Sequence, residues 1–194
     1  MAWLGGAAFL ASLGFCGWTY LVVWSSPGPS AMPSWRAVAL DALLVTVFAS
    51  HHSLFARDHL KGWLARAVPE ALLRSFYVWI ASVLLIGMLW LWQPVGGELY
   101  HLRGGFSLVG SAIQLLGLWL IGQAVRAIDA LELAGIRQVT RPSAATPPAL
   151  PALVVTGPYR LVRHPLYLGW VLMTFGTTHL TGDRLAFAVL TTAY

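Results

Sequence analysis

FSLVGSAIQLLGLWLIGQAV, residues 106–125, is a run of twenty residues without a single charge, bracketed by Arg103 and Arg126. A helix rising 1.5 Å per residue covers about 30 Å over that length, which is the thickness of a bilayer's hydrocarbon layer. Working outward, three further stretches are mostly apolar over a similar length: roughly 3–24, 37–56 and 75–93, of which 37–56 carries one charged residue, Asp41. Breakers or charges separate them. Pro27, Pro29 and Pro33 fill the first gap, Gln93-Pro94 and Gly96-Gly97 the third, and the second, from Arg57 to Arg74, is charged. A fifth apolar stretch starts at Pro165 and runs to about Leu180. Thr181-Gly182-Asp183 then reads as a turn, and Leu185 opens a sixth run that reaches Tyr194. About ten residues cannot cross a bilayer, and a helix ending in mid-membrane leaves its last carbonyls without partners. The expectation is therefore an all-α, polytopic transmembrane helix bundle with five full spans and a truncated sixth, on a chain that is a fragment. Residues 1–194 form one transmembrane domain, with 126–164 a cytoplasmic loop leading into the fifth helix.

Composition agrees. The chain has 194 residues, of which 58% are apolar and 10% charged, against about 25% charged in soluble domains. A soluble enzyme is excluded. The one cysteine, Cys16, lies within the first apolar stretch, which excludes an intramolecular disulfide, a cysteine metal cluster and a CxxC redox pair; it reads as an inert apolar-facing thiol. Eleven Arg and one Lys against seven acids give a net charge of +5. In a membrane protein this excess reports topology before it suggests nucleic acid, and no nucleic-acid partner is expected. Arg57, Lys61, Arg66 and Arg74 lie between spans two and three, and Arg126, Arg137, Arg141, Arg160 and Arg163 between four and five; the alternate gaps hold only Arg36, Arg103 and Arg184. That alternation places the two basic loops, and the amino terminus, in the cytoplasm. The first apolar stretch lacks a basic leader, so it is expected to be retained as span one.

The longest loop is on that face. Residues 126–139 read as a continuation of the fourth helix, whereas 141–158 hold five of the eleven prolines and must be extended or turned. The loop ends in Gly157-Pro158-Tyr159-Arg160-Leu161-Val162-Arg163-His164-Pro165-Leu166-Tyr167-Leu168-Gly169-Trp170. Pro165 fits the first turn of a helix, which makes His164 the cap and points free backbone donors toward the cytoplasm. With Arg160 and Arg163 beside it, the corner suits an anion. Tyr167 and Trp170, three apart, share a helix face, and Gly169 between them allows a flat group close to the backbone.

This segment resembles the membrane methyltransferases related to isoprenylcysteine carboxyl methyltransferase and phospholipid methyltransferase, whose hallmark is RHP-x-Y-x-G preceded by G-x-Y. Around it the chain is similar to the nurim-type branch, which includes the methanethiol S-methyltransferases and NnrU-like proteins. The matching segments are His52-Ser53-Leu54-Phe55-Ala56, then Lys61, Arg74-Ser75-Phe76-Tyr77, Trp92-Gln93-Pro94 and Gly135-Ile136-Arg137-Gln138-Val139. Two features depart from the branch: Asp129-Ala130-Leu131-Glu132 lacks the usual histidine beside the acid, and the chain stops before a glutamate pair that follows the last helix in relatives.

The resemblance implies an S-adenosyl-L-methionine-dependent enzyme of the bacterial inner membrane with its site facing the cytoplasm. A small thiol, methanethiol converted to dimethyl sulfide, is the acceptor it favours; a lipid or prenylcysteine carboxylate, or no enzymatic activity at all, are the alternatives. Tyr159, Arg160, Arg163, His164, Tyr167, Gly169 and Trp170 are then the expected cofactor-binding set. A carboxylate would meet the arginines and the helix start, and a sulfonium would meet Tyr167 and Trp170 through cation–π attraction of about 0.5–2 kcal/mol. An acceptor thiol reacts as thiolate, so His164, Arg137 and His52 are the expected catalytic residues. No GxGxxG motif is present, which excludes a Rossmann methyltransferase. No metal site is expected. His51 and His52 are adjacent and point about 100° apart on a helix, His101 and His179 fall at the opposite membrane face, and His59 and His101 read as solvated loop residues. The Trp residues are expected mostly at the lipid or interfacial surface.

Overall fold

A computed structural model describes residues 2–55, 57–64, 66, 69–128 and 156–194. Helices α1 (Ala2–Leu21), α2 (Ser34–Phe55), α3 (Asp58–Leu64), α4 (Glu70–Trp90), α5 (Gly105–Ile128), α6 (Pro165–Phe175) and α7 (Gly182–Ala193) carry most of the described chain, with strands β1 (Glu98–His101) and β2 (His179–Thr181). Among the described residues, four helical segments are long and apolar enough to cross a membrane: Trp3–Ser25, Ser34–Phe55, Leu72–Trp90 and Gly105–Ile128. These follow the four long apolar stretches closely. Their outward faces carry exposed Leu10, Leu43, Val83, Leu115 and Trp119, side chains suited to lipid rather than water.

The fifth stretch folds differently from the expectation, while the sixth is a short helix, α7. A helix over 165–180 would have been one span, but α6 stops at Phe175 after 11 residues, where Gly176 forms its C-cap. At 1.5 Å per residue this covers about 16 Å, half a bilayer. The chain continues as Thr177-Thr178-His179-Leu180-Thr181, whose β-branched residues favour extended backbone. Its last three residues pair antiparallel with β1, a ladder that an all-α reading did not contain. Thr181 ends β2 and caps α7, its hydroxyl accepting from the Arg184 N–H at 3.3 Å.

Close helix packing sets the position of α6. On α5 the buried residues Gly110, Gly117 and Ala124 recur every seven positions, and on α6 Gly169 and Gly176 have the same spacing. A Cβ at Gly117 would lie 2.4 Å from Met173 N, and one at Gly169 2.9 Å from Gly117 O. The two backbones therefore touch, the small-residue solution by which membrane helices gain dispersion contact.

The opposite end holds a polar and aromatic knot. Tyr20, Trp24, Trp92 and Phe187 pack with centroid separations such as 4.9 Å for Trp24–Trp92 and 5.3 Å for Trp24–Phe187. Trp24 and Trp92 are thus core residues, exceptions within a set that is mostly at the surface as expected: Trp3, Trp18, Trp35, Trp63, Trp90 and Trp119 are exposed. Buried Arg184 donates to Tyr20 O, Leu21 O, His179 O and the Thr177 hydroxyl at 2.8–3.0 Å. Two of these acceptors are the last carbonyls of α1, which have no partner within their own helix. Asp183 accepts from Trp92 Nε1 and Val95 N, and Asp41 accepts from Gln93 N. The Trp92-Gln93-Pro94 segment is thereby clamped between the starts of α2 and α7. Gly96 and Gly97, both near φ +70°, let the turn lie against Gly182, where a Cβ would fall 1.9 Å from Gly96 O.

Candidate functional site

The other end of the bundle gathers segments far apart in sequence. His52 and Ser53 lie in the last turn of α2, and Tyr77 lies near the start of α4. The Tyr77 hydroxyl and His52 Nδ1 are 2.5 Å apart. His51 stacks on the Tyr77 ring at 5.3 Å and 11°, and the Arg74 guanidinium sits 5.3 Å from the same ring's centroid. The end of α7 enters from the third side. The Tyr194 hydroxyl is 2.6 Å from Ser53 Oγ and donates to Ala49 O at 3.0 Å. Tyr167 of α6 donates its hydroxyl to Thr192 O, and Trp170 Nε1 donates to Thr191 Oγ1 at 3.1 Å. Four helices therefore converge through their polar side chains. An open groove of about 560 Å³ runs between α2 and α7, lined by Thr46, Ala49, Ser50, Ser53, Leu190 and Tyr194 among others.

His164 occupies the cap of α6 with Pro165 at the first helical position, as the segment predicts. Its side chain is exposed and makes no capping hydrogen bond, while its carbonyl accepts from Leu168 N at 3.0 Å. The helix start thus keeps backbone donors that no capping side chain satisfies. Just before it, Gly157–Arg160 forms a 3₁₀ turn entered through Gly157 at φ +56°. Thr156, Gly157, Tyr159 and Arg160 line an open cavity of about 580 Å³. Burial raises the Tyr159 phenol above its usual pKa, so its hydroxyl stays a donor at neutral pH. Arg160 and Arg163 are exposed beside it.

Not every expected residue faces this space. The close approach anticipated at Gly169 is made by Gly117 and Ile121 of α5. Trp170 packs against Phe187 at 5.6 Å, whereas Tyr167 remains 51% exposed and is the aromatic face on offer. Among the described residues no hydrogen bond joins His164 to His52. Arg137, the predicted continuation of the fourth helix beyond Ile128, and Ala56 lie outside the described residues, as does the side chain of Lys61. Tyr77, Ser53 and Tyr194 were not among the sequence-derived site residues. The spacing of Arg74 and Tyr77, three apart on one helix face, was the available signal for the first of them.

The sequence profile of the Isoprenylcysteine carboxyl methyltransferase (ICMT) family matches residues 115–194. Methanethiol S-methyltransferase of Pseudomonas deceptionensis is 35% identical over 172 residues, covering 86% of this chain and 64% of the relative. Methanethiol S-methyltransferase 2 of Bradyrhizobium diazoefficiens is 34% identical over 188 residues, covering 96% of the chain and 72% of the relative. Nurim of Pan troglodytes is 29% identical over 193 residues, 87% of the chain and 71% of the relative. The chain thus spans 64% of the Pseudomonas deceptionensis protein's length. No solved structure matches it significantly. Similarity at this level across nearly the whole chain, together with the convergence of three of the matching segments, His52–Phe55, Arg74–Tyr77 and the RHP helix, at one end of a helical membrane bundle, means that the chain belongs to the isoprenylcysteine carboxyl methyltransferase superfamily of membrane proteins, in the branch that holds the methanethiol S-methyltransferases and nurim.

Proposed function

We propose that the protein is an integral membrane S-adenosyl-L-methionine-dependent methyltransferase acting on a small thiol, with methanethiol as the acceptor and dimethyl sulfide as the product. The observation that carries this reading is the 34% identity to Methanethiol S-methyltransferase 2 over 96% of the chain. The geometry supports it. The family's separate segments, His52-Ser53, Arg74 to Tyr77 and the RHP helix, are linked at one end through Tyr77, Tyr194 and Tyr167. That end also carries Arg57, Arg66, Arg126, Arg160 and Arg163, which supports a cytoplasmic orientation of the site and of the amino terminus in a bacterial inner membrane. In this topology α6, β2 and α7 make a helical hairpin that completes the bundle beside the four long spans, and residues 1–194 act as one domain.

S-Adenosyl-L-methionine supplies an electrophilic methyl group on a sulfonium. The residues present fit it: Arg160, Arg163 and the uncapped start of α6 would hold its carboxylate, and the exposed face of Tyr167 would meet its positive charge. Tyr159 and His164 border the same opening. On the acceptor side, a His52 tautomer whose Nδ1–H donates to the Tyr77 oxygen leaves Nε2 free to take the thiol proton, producing the thiolate that reacts. Arg137 would stabilise that thiolate. Gly169 and Trp170 act through packing, by fixing where α6 lies.

Membranes of cells expressing the protein, incubated with methyl-labelled S-adenosyl-L-methionine and methanethiol, should release labelled dimethyl sulfide. His164→Ala should abolish release while the protein still inserts. Full activity in that variant would remove His164 from the site. A labelled lipid or prenylcysteine ester in place of the volatile product would refute the thiol, and no labelled product with any acceptor would refute the enzyme.

A further inference from the structure

We propose that Glu98, His101 and His179 form a binding site for a first-row divalent cation, with Zn²⁺ the ion best suited, at the end of the bundle opposite His52 and His164. The site follows from the register of the β1–β2 ladder. Side chains alternate along a strand, so Glu98 and His101, three apart, would ordinarily face opposite sides of the sheet. The pairing shifts between Glu98 and Tyr100, with Glu98 opposite Thr181, Tyr100 opposite Leu180 and His101 opposite His179. One extra residue in β1 turns the sequence by one face. Glu98 and His101 consequently share a side with His179. Tyr100 takes the other side, where its hydroxyl donates to Phe175 O at 3.0 Å.

The donors are close. His179 Nε2 lies 2.5 Å from Glu98 Oε2, and the His101 and His179 rings stack with centroids 4.2 Å apart and planes within 6°. One ligand atom from each of the three residues falls within 4.8 Å of the others. Tetrahedral zinc with bonds of about 2.0–2.1 Å separates its donors by about 3.3 Å. Rotation of the exposed Glu98 and His101 side chains closes that difference, while buried His179 supplies the fixed point. Two imidazoles and one carboxylate are a donor set that zinc favours and that magnesium and calcium do not. Three protein ligands leave a fourth position for water. The consequence is structural: an ion here would tie the α4–α5 connection to the α6–α7 connection, holding the hairpin against the long spans. Nothing in the methyl-transfer reading requires it.

The test uses purified protein without a polyhistidine tag, in detergent micelles, titrated calorimetrically with Zn²⁺ alone. The wild type should bind one equivalent of Zn²⁺ at micromolar concentrations. Saturation at a hundredfold excess over Kd should raise the melting temperature by about 5–10 °C, whereas Mg²⁺ should leave it unchanged. His101→Ala alters an exposed side chain and should weaken binding at least tenfold, as should the isosteric Glu98→Gln. Absence of binding by the wild type at millimolar Zn²⁺ would overturn the proposal. So would unchanged affinity in His101→Ala, which would move the ion to His51, His52, His59 or His164. Neither result would bear on methyl transfer.

Discussion

Gly117→Ala tests the packing that positions the RHP helix. Built on the existing backbone, the new methyl carbon would lie 2.4 Å from Met173 N, 2.7 Å from Gly169 O and 3.0 Å from the Leu172 carbonyl carbon. Ordinary contact begins near 3.4 Å, so α5 and α6 must separate by about 1 Å at their crossing, the radial gap that forfeits a quarter to a half of each dispersion contact. No rotamer change relieves the clash, because every atom concerned is backbone. Overpacking of this kind costs about 1–3 kcal/mol, and a value near 2 kcal/mol shifts the folded-to-unfolded ratio about thirtyfold. The assay is SDS-induced unfolding in mixed micelles, followed by far-UV circular dichroism. Gly122→Ala is the matched control: it lies on the same helix, a Cβ there meets nothing within 4 Å, and helix propensity should stabilise it by up to about 1 kcal/mol. Equal stability of Gly117→Ala and wild type, or equal damage from both substitutions, would refute the close crossing.

Arg184→Met should be more damaging. It leaves Tyr20 O, Leu21 O and His179 O without their donor in a buried setting, a loss of about 3–5 kcal/mol by analogy with breaking a buried ion pair; a change below 1 kcal/mol in the same SDS titration would refute the capping role. Tyr77→Phe removes the partner of His52 Nδ1 without altering ring packing. If His52 is the base, kcat should fall about tenfold, the equivalent of one hydrogen bond of about 1.4 kcal/mol, the pH–rate profile should shift, and KM for the thiol should change less. An unchanged kcat and profile would show that Tyr77 does not orient the base.

Much of the architecture was legible because lipid imposes a one-dimensional rule: a spanning helix must be about 20 residues long and uncharged. The stretches 106–125, 75–93 and 3–24 obey it, 37–56 does so with the single exception of Asp41, and their helices appear within a few residues of those limits. The cap at His164 and the break before Pro165 were readable because Pro165 has a fixed φ and no N–H. Gly176 and the threonines of 177–181 were the available signal that α6 ends at Phe175, but they could not show what the following strand pairs with. That outcome depends on β1, some eighty residues earlier, being present to pair with His179–Thr181.

The site divides in the same way. Sequence alone determined that His164, Arg160, Arg163 and Tyr167 sit together at a helix start, because they are neighbours in the chain and helix geometry is local. Only the tertiary structure decided that His52 meets Tyr77, that Ser53 meets Tyr194, that Gly169 and Trp170 face helices rather than an opening, and that Glu98, His101 and His179 converge. Those contacts arise where helices cross and where a bulge shifts a strand register: the seven-residue spacing of Gly110, Gly117 and Ala124 marks a crossing face without naming the helix that packs there, and the register leaves no periodic signal in a single sequence.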